Sequence, residues 1–211
     1  RHQSVNPEEY ERGCVWRWFA LGACVECLAE LDGNDDRPWV ALDLDCFLLA
    51  PPLEILPKTA RQNTATEVVM VGPGFAVFWR RQGLQAFLAY VEETYATEAT
   101  WQQAVDELAY SVTMHNGTQG RTFSDVNLLQ GFLRHRTSPP QRQGGAEPGS
   151  PKTVDCGGRR FLVLEKRSGG VVDAKDGEQV GLIHWQGPSK NWIIKFARWV
   201  QDGAEGSTFR T

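Results

Sequence analysis

A mixed α/β fold is what this sequence predicts, and three observations carry it. Apolar residues recur at helical spacing in several long stretches, the first opened by Asn6-Pro7-Glu8-Glu9. Short apolar runs bounded by proline, glycine or acidic residues read as strands, the clearest being Pro38-Trp39-Val40-Ala41-Leu42-Asp43. The 211 residues, 41% hydrophobic and 23% charged, suffice for one domain with a sizeable core, so a single domain over 1–211 is expected.

In chain order, Asn6 fits an N-cap, Pro7 the first helical position, and Glu9 the third, from which it can reach back. Val15, Trp18, Phe19, Leu21, Val25 and Leu28 follow at helical spacing, which predicts a mostly buried helix ending at the polar turn Asp32-Gly33-Asn34-Asp35-Asp36. The next run reads as a central strand. If extension continues to Asp45, Val40, Leu42 and Leu44 share one face and Ala41, Asp43 and Asp45 the other. Pro51-Pro52 breaks the chain before a short helix at Leu53 to Ile55. Val68 to Val71 and Phe75 to Trp79 read as strands around Gly72-Pro73-Gly74, a turn or a place of close approach to a sugar. Helices are expected over Gln82–Glu98 and Trp101–Ala109, the latter extending toward His115. Ser124 is placed to cap a helix carrying Val126, Leu129, Phe132 and Leu133; Asp125 in its first turn suits the helix dipole and equally a catalytic role. Residues 137–158, rich in Pro, Gly, Ser and Gln, read as a mobile loop or insertion. Arg160 to Leu164 is a strand, a hairpin or loop leads to Val180, and the polar tail after Asp202 is expected to fray.

Composition excludes several classes. A net charge of −4 argues against a nucleic-acid partner, which calls for a basic face, and is compatible with an acidic site holding a divalent cation. No apolar run approaches the roughly 20 residues of a membrane span. The start Arg1-His2-Gln3-Ser4 has neither a signal-peptide core nor a methionine and reads as the beginning of a fragment. Five cysteines in no regular framework suggest mostly buried free thiols, and Cys24-Val25-Glu26-Cys27 lies in a helical pattern with no second pair. Eight tryptophans fit a carbohydrate cleft or a core. The sequon Asn116-Gly117-Thr118 points to a Golgi lumen and the unpaired cysteines to a reducing cytosol, so the compartment stays open.

Two stretches carry chemistry. Asp43-Leu44-Asp45 places two carboxylates close together, which costs free energy unless a cation neutralises them; a hard divalent ion on nucleotide phosphates would do so. His184-Trp185-Gln186-Gly187-Pro188-Ser189-Lys190-Asn191-Trp192 reads as strand, glycine turn and helix, the helix running from Trp192 to Val200. Ser189 can cap that helix, and Lys190 adds positive charge where the dipole already supplies it, which suggests a bound phosphate. His184 offers an imidazole to a metal.

Together these two stretches resemble the GT-A glycosyltransferases, most closely the retaining families related to glycogenin and the bacterial lipopolysaccharide galactosyltransferases. Those carry a D-x-D and a late H-x-x-G-x-x-K-P-W; here His184, Gly187, Lys190 and Trp192 match and Asn191 stands at the proline. Ser124-Asp125-Val126-Asn127 is loosely similar to their D-Q-D-x-x-N, and the helix with Arg12 and Arg17-Trp18 to the one before their D-x-D. The resemblance covers about residues 8–200, with 137–158 outside it. It implies a GT-A, Rossmann-like mixed central sheet flanked by helices. In that fold a base-binding βαβ region lies about 70 to 100 residues ahead of the D-x-D. Only 42 residues precede Asp43 here, so much of the N-terminal nucleotide-binding half is expected to be lacking.

The resemblance further implies that Asp45 and His184 hold Mn²⁺ or Mg²⁺ and that Asp43 binds the metal or the ribose. Gly187 and Lys190 would meet the diphosphate, and Asp125 would hold the donor sugar or the acceptor. The implied activity is metal-dependent transfer of a sugar, with retention, from a nucleotide sugar (a UDP-sugar favoured) to a glycan or other hydroxyl acceptor. A non-catalytic carbohydrate- or nucleotide-binding module derived from such an enzyme is the alternative, and a hydrolase of nucleotide sugars a third option.

Overall fold

The computed structural model describes residues 2, 4, 6–33, 37–56, 68–71, 76–113, 119–136, 151–156, 162–185 and 187–211. It is mixed α/β, with helices and several small sheets. In chain order the elements are α1 (Glu8–Asp32), β1 (Trp39–Leu42), β2 (Cys46–Leu48), α2 (Pro52–Ile55), β3 (Val68–Val71) and β4 (Ala76–Trp79). Then come α3 (Arg81–Ala96), α4 (Glu98–Leu108), β5 (Tyr110–Thr113), β6 (Gln119–Thr122), α5 (Asp125–Arg136) and β7 (Lys152–Asp155). The chain closes with β8 (Val163–Arg167), β9 (Gly170–Asp173), β10 (Val180–His184), a 3-10 stretch (Gly187–Trp192), α6 (Ile193–Asp202) and β11 (Thr208–Arg210). These form two compact units, one of Arg1–Trp39 and Trp79–Arg142, the other of Val40–Phe78 and Gln143–Thr211. Gly72-Pro73-Gly74, the sequon at Asn116 and residues 137–150 lie outside the described residues.

The first unit contains α1, α3, α4, α5 and the antiparallel hairpin β5–β6. Pro7, not Asn6, occupies the N-cap of α1, with Glu8, Glu9 and Glu11 in the first turn where the dipole favours them. Gly33 ends the helix in the left-handed region, φ 62°, its N–H on the Ala29 carbonyl. Contrary to expectation, α1 is not mostly buried: Trp18, Val25 and Ala29 are, while Trp16, Leu28 and Leu31 face solvent. The apolar surface is wide, but only one narrow stripe finds partners. Trp18 meets Trp79 and Phe87 edge-on, and Phe87 meets Phe132. Helix α4 stops at Leu108 rather than running toward His115, since Tyr110–Thr113 pairs as a strand with β6; distant side chains bond its last carbonyls. Asn127 Nδ2 donates to Leu108 O at 2.9 Å and Arg121 to Val105 O at 3.0 Å.

The second unit contains three small sheets, in the orders β1-β4-β3, β2-β10-β7 and β11-β8-β9. Among the described residues β1 is therefore an edge strand, not a central one. Extension also ends at Leu42: Cys46 N–H donates to Asp43 O at 2.9 Å, closing a β-turn, and Leu44 is fully exposed. The strand alternation that would aim Asp43 and Asp45 the same way is thus interrupted.

Strand β10 is buried along its whole length and paired on both edges, antiparallel to β2 and parallel to β7, which accounts for its unbroken apolar run. The expectation of a loop throughout 137–158 is corrected here, since Lys152–Asp155 is a strand. Its Thr153 and Val154 are β-branched, but Pro151 and the glycines after Cys156 hid them in a loop-like composition. The tail does not fray either. β11 pairs with β8, and Phe209 drops into a core with Leu164, Trp185 and Phe196. No described helix is long and apolar enough to cross a membrane.

Gly181 fixes how β10 sits in its sheet. The β10–β7 register shifts between Val180 and Leu182, leaving Gly181 as the extra residue of a bulge. A Cβ there would lie 2.7 Å from Pro151 Cβ and 3.1 Å from Ile55 Cγ1, and the Gly181 carbonyl accepts from both Leu49 and Ala50 N–H. Gly181→Ala is therefore expected to cost about 1–3 kcal/mol by overpacking. Urea unfolding checks this; an unchanged midpoint would mean that the approach is looser than described.

Candidate functional site

The site forms at the C-terminal end of β10. His184, its last residue, pairs with Cys46 of β2 on one side and Asp155 of β7 on the other. The ladder continues past it, with Trp185 N–H on Asp45 O at 2.9 Å and Cys156 N–H on His184 O at 2.8 Å. Main-chain pairing thus brings Asp45, Cys46 and Asp155 to the histidine.

The side chains converge accordingly. His184, 5% exposed, has Nε2 3.3 Å from Asp45 Oδ1 and Nδ1 3.4 Å from Asp155 Oδ1. Lys190 Nζ lies 2.6 Å from Asp45 Oδ2. One ligand atom each of Asp45, Cys46 and His184 fall within 4.8 Å of one another. A neutral imidazole carries a single N–H and can donate to only one of two flanking carboxylates. The other contact sets a lone pair against an anionic oxygen and is repulsive unless a proton or a metal ion lies between.

That geometry suits a divalent cation. Two donors sharing one ion at about 2.1 Å lie roughly 3.0–3.4 Å apart, as Asp45 Oδ1 and His184 Nε2 do. Asp155 stands beside the far ring nitrogen at 3.4 Å, outside hydrogen-bond geometry, in the place from which a carboxylate can orient a ligating histidine. Cys46 adds a soft sulfur, which favours zinc over manganese or magnesium. Burial, then the charges of Asp43 and Asp45, push the Cys46 thiol up to about 12, so without a metal it is a neutral thiol at ordinary pH.

Of the residues expected from sequence, Asp45, His184 and Lys190 come together. Asp43 heads the turn, half-buried, and its carboxylate is not in the ligand group. Gly187 opens the 3-10 stretch, which carries Lys190 and runs straight into α6. Ser189 does not cap α6; Trp192 holds that place in helical backbone with no side-chain cap. Asp125 belongs to the first unit, buried to 3% exposure, where Arg17 Nη2 donates at 2.7 Å and Trp18 Nε1 at 2.9 Å. Both capping and catalysis were open for it, and these bonds give it a structural occupation. Cys46 and Asp155 were missed. Cys46 directly follows the D-x-D, which is a signal; Asp155 offered none without knowledge of the strand pairing.

The thiols provide a check. Cys24 and Cys27 are exposed on α1, Cys156 is buried, and Cys46 is half-buried with a raised pKa. Iodoacetamide near pH 8 is expected to alkylate Cys24 and Cys27 first, and Cys46 and Cys156 only on unfolding, as read by peptide mass analysis. Early labelling of Cys46 would contradict its environment.

Comparison with known proteins finds no matching family model, no matching curated protein and no matching solved structure.

Proposed function

We propose that this chain is a metal-dependent glycosyltransferase of GT-A type, moving a sugar from a nucleotide-diphosphate sugar to a glycan or other hydroxyl acceptor, with a UDP-sugar favoured as donor and retention at the sugar carbon. The observation that carries the reading is the meeting of two distant sequence motifs. Asp45 of the D-x-D lies 3.3 Å from His184, the first residue of H-x-x-G-x-x-K, and 2.6 Å from Lys190, the last. Asp45 and His184 would hold Mn²⁺ or Mg²⁺, or Zn²⁺ where Cys46 joins them, with Asp155 beside the imidazole. Asp43, beside them on the turn, would bind the metal or the ribose. A bound divalent ion supplies charge stabilisation to the departing diphosphate. Lys190 is half-exposed and rides on the 3-10 stretch, so it can exchange Asp45 for a phosphate oxygen, while Gly187 leaves the backbone open to close approach. Asp125, expected to hold donor or acceptor, is not required by this arrangement.

A second reading, a non-catalytic nucleotide- or carbohydrate-binding module, is favoured by the Lys190–Asp45 ion pair, which neutralises the carboxylate internally. One experiment addresses both. UDP is titrated calorimetrically into the chain with Mn²⁺, with Zn²⁺ and with EDTA, and a UDP-hexose is then incubated with and without an acceptor sugar. Binding with a metal but not in EDTA, followed by transfer, is the expected result. Metal-dependent binding without turnover would favour the module. Binding that is indifferent to EDTA, or none with either metal, would overturn the metal–diphosphate site.

A further inference from the structure

The first unit contains a cavity of about 540 Å³, the size of a small-molecule site. Phe19, Tyr95, Trp101 and Phe123 give it aromatic walls, with Trp16, 66% exposed, at its surface. Among the described residues Glu8, Glu11 and Glu92 also line it, with His2 and with Arg12, which is paired with Glu8 at 2.7 Å. The walls are therefore apolar with an acidic excess.

Glu11 is the unusual member. It is 6% exposed, and its Oε1 accepts from Ser4 Oγ at 2.7 Å and Asn6 Nδ2 at 2.6 Å. Among the described residues its Oε2 has no hydrogen-bond partner, and it is closed to solvent. A buried carboxylate left short of donors is costly, and a cation in the cavity beside it would offset part of that cost. Aromatic faces attract cations, and the acidic excess repels anions. The Tyr95 hydroxyl, held neutral because burial and then the charges of Glu11 and Asp125 raise its pKa to about 12, adds no competing charge.

We infer that this cavity is a binding site for a small organic cation, an ammonium group on an apolar body, whose charge lies beside the Glu11 carboxylate while the body packs on the aromatic walls. The inference rests on the first unit alone and is independent of the metal–diphosphate reading of the second.

The test is calorimetric titration of the whole chain with 2-phenylethylammonium and, separately, with 2-phenylethanol, which has the same body and no charge. The amine is expected to bind about ten- to a hundredfold more tightly, the range of a charged hydrogen bond. Glu11→Gln, which keeps the acceptor for Ser4 and Asn6 but loses the charge, should reduce amine affinity about tenfold or more and leave the alcohol unchanged. Should E11Q fail to fold, Trp16→Ala serves, because that side chain is largely exposed; it should weaken the amine about threefold through the lost cation–π contact. Equal binding of amine and alcohol, no binding of the amine at millimolar concentration, or full amine affinity in E11Q would each overturn the inference.

Discussion

Asp45→Asn is expected to abolish manganese-dependent UDP binding, with a loss of about a hundredfold or more, while the second unit stays folded. Asp45 reaches both His184 and Lys190. Asparagine keeps the volume but loses the anionic charge that a divalent ion needs, and its amide turns N–H donors toward the lysine. The stability cost should be only about 1 kcal/mol, because Lys190 is half-exposed and water takes up its ammonium. Asp43→Asn is the informative companion. The family resemblance put Asp45 on the metal and left Asp43 to the metal or the ribose; in the structure Asp45, not Asp43, stands in the ligand group. The calorimetric titration should therefore show a much smaller loss for Asp43→Asn. A larger loss there than at Asp45 would mean that the turn is wrongly placed.

Phe196→Ala should destabilise the second unit by about 3–5 kcal/mol, the cost of removing a buried phenylalanine and leaving a cavity. The ring is 0% exposed. Its centroid lies 5.2 Å from those of Phe47 and Phe209, 5.3 Å from Trp185 and 5.7 Å from Trp199. Those four rings come from β2, β11, the residue after His184, and α6 itself. The truncation therefore loosens the helix that follows Lys190, and UDP affinity should fall with it. Phe196→Leu should cost less than about 1.5 kcal/mol, since most of the volume is retained. Urea unfolding followed by near-ultraviolet circular dichroism reads both variants. A loss for Phe196→Ala below about 1.5 kcal/mol would show that the aromatic cluster is not packed as described.

What could be seen in the sequence was governed by how local the responsible forces are. The start and end of α1, the hairpin region after Arg160 and the strand before His184 all follow from periodicity and turn residues within one window, and they appeared with small shifts of boundary. The misplaced elements are those decided by distant partners. Helix α4 ends where the following residues pair with β6. The four residues of β7 lie in a proline- and glycine-rich setting and become a strand only beside β10. β11 is held in a polar tail by its pairing with β8 and by Phe209. The site divides the same way. Asp45, His184 and Lys190 stood out through chemistry-bearing residue types at suggestive spacing. Asp155 reaches His184 only through a parallel pairing that no sequence window contains.

The bulge in β10 has a bearing on how such a site could disappear. Before Gly181 the sheet sets Val180 opposite Lys152; after it, Leu182 faces Thr153, Ile183 faces Val154 and His184 faces Asp155. The additional residue lets one strand satisfy both alignments. Losing it would force a choice between the anchorage at Val180 and the rung that joins imidazole to carboxylate, because a step of one residue turns a side chain to the other face. Asp43-Leu44-Asp45 and His184 through Trp192 would all still be spelled out in such a variant. A pattern search would score it unchanged, yet Asp155 would no longer stand beside the histidine. The identity of this site is therefore written partly in backbone length, a quantity that no catalogue of side chains records.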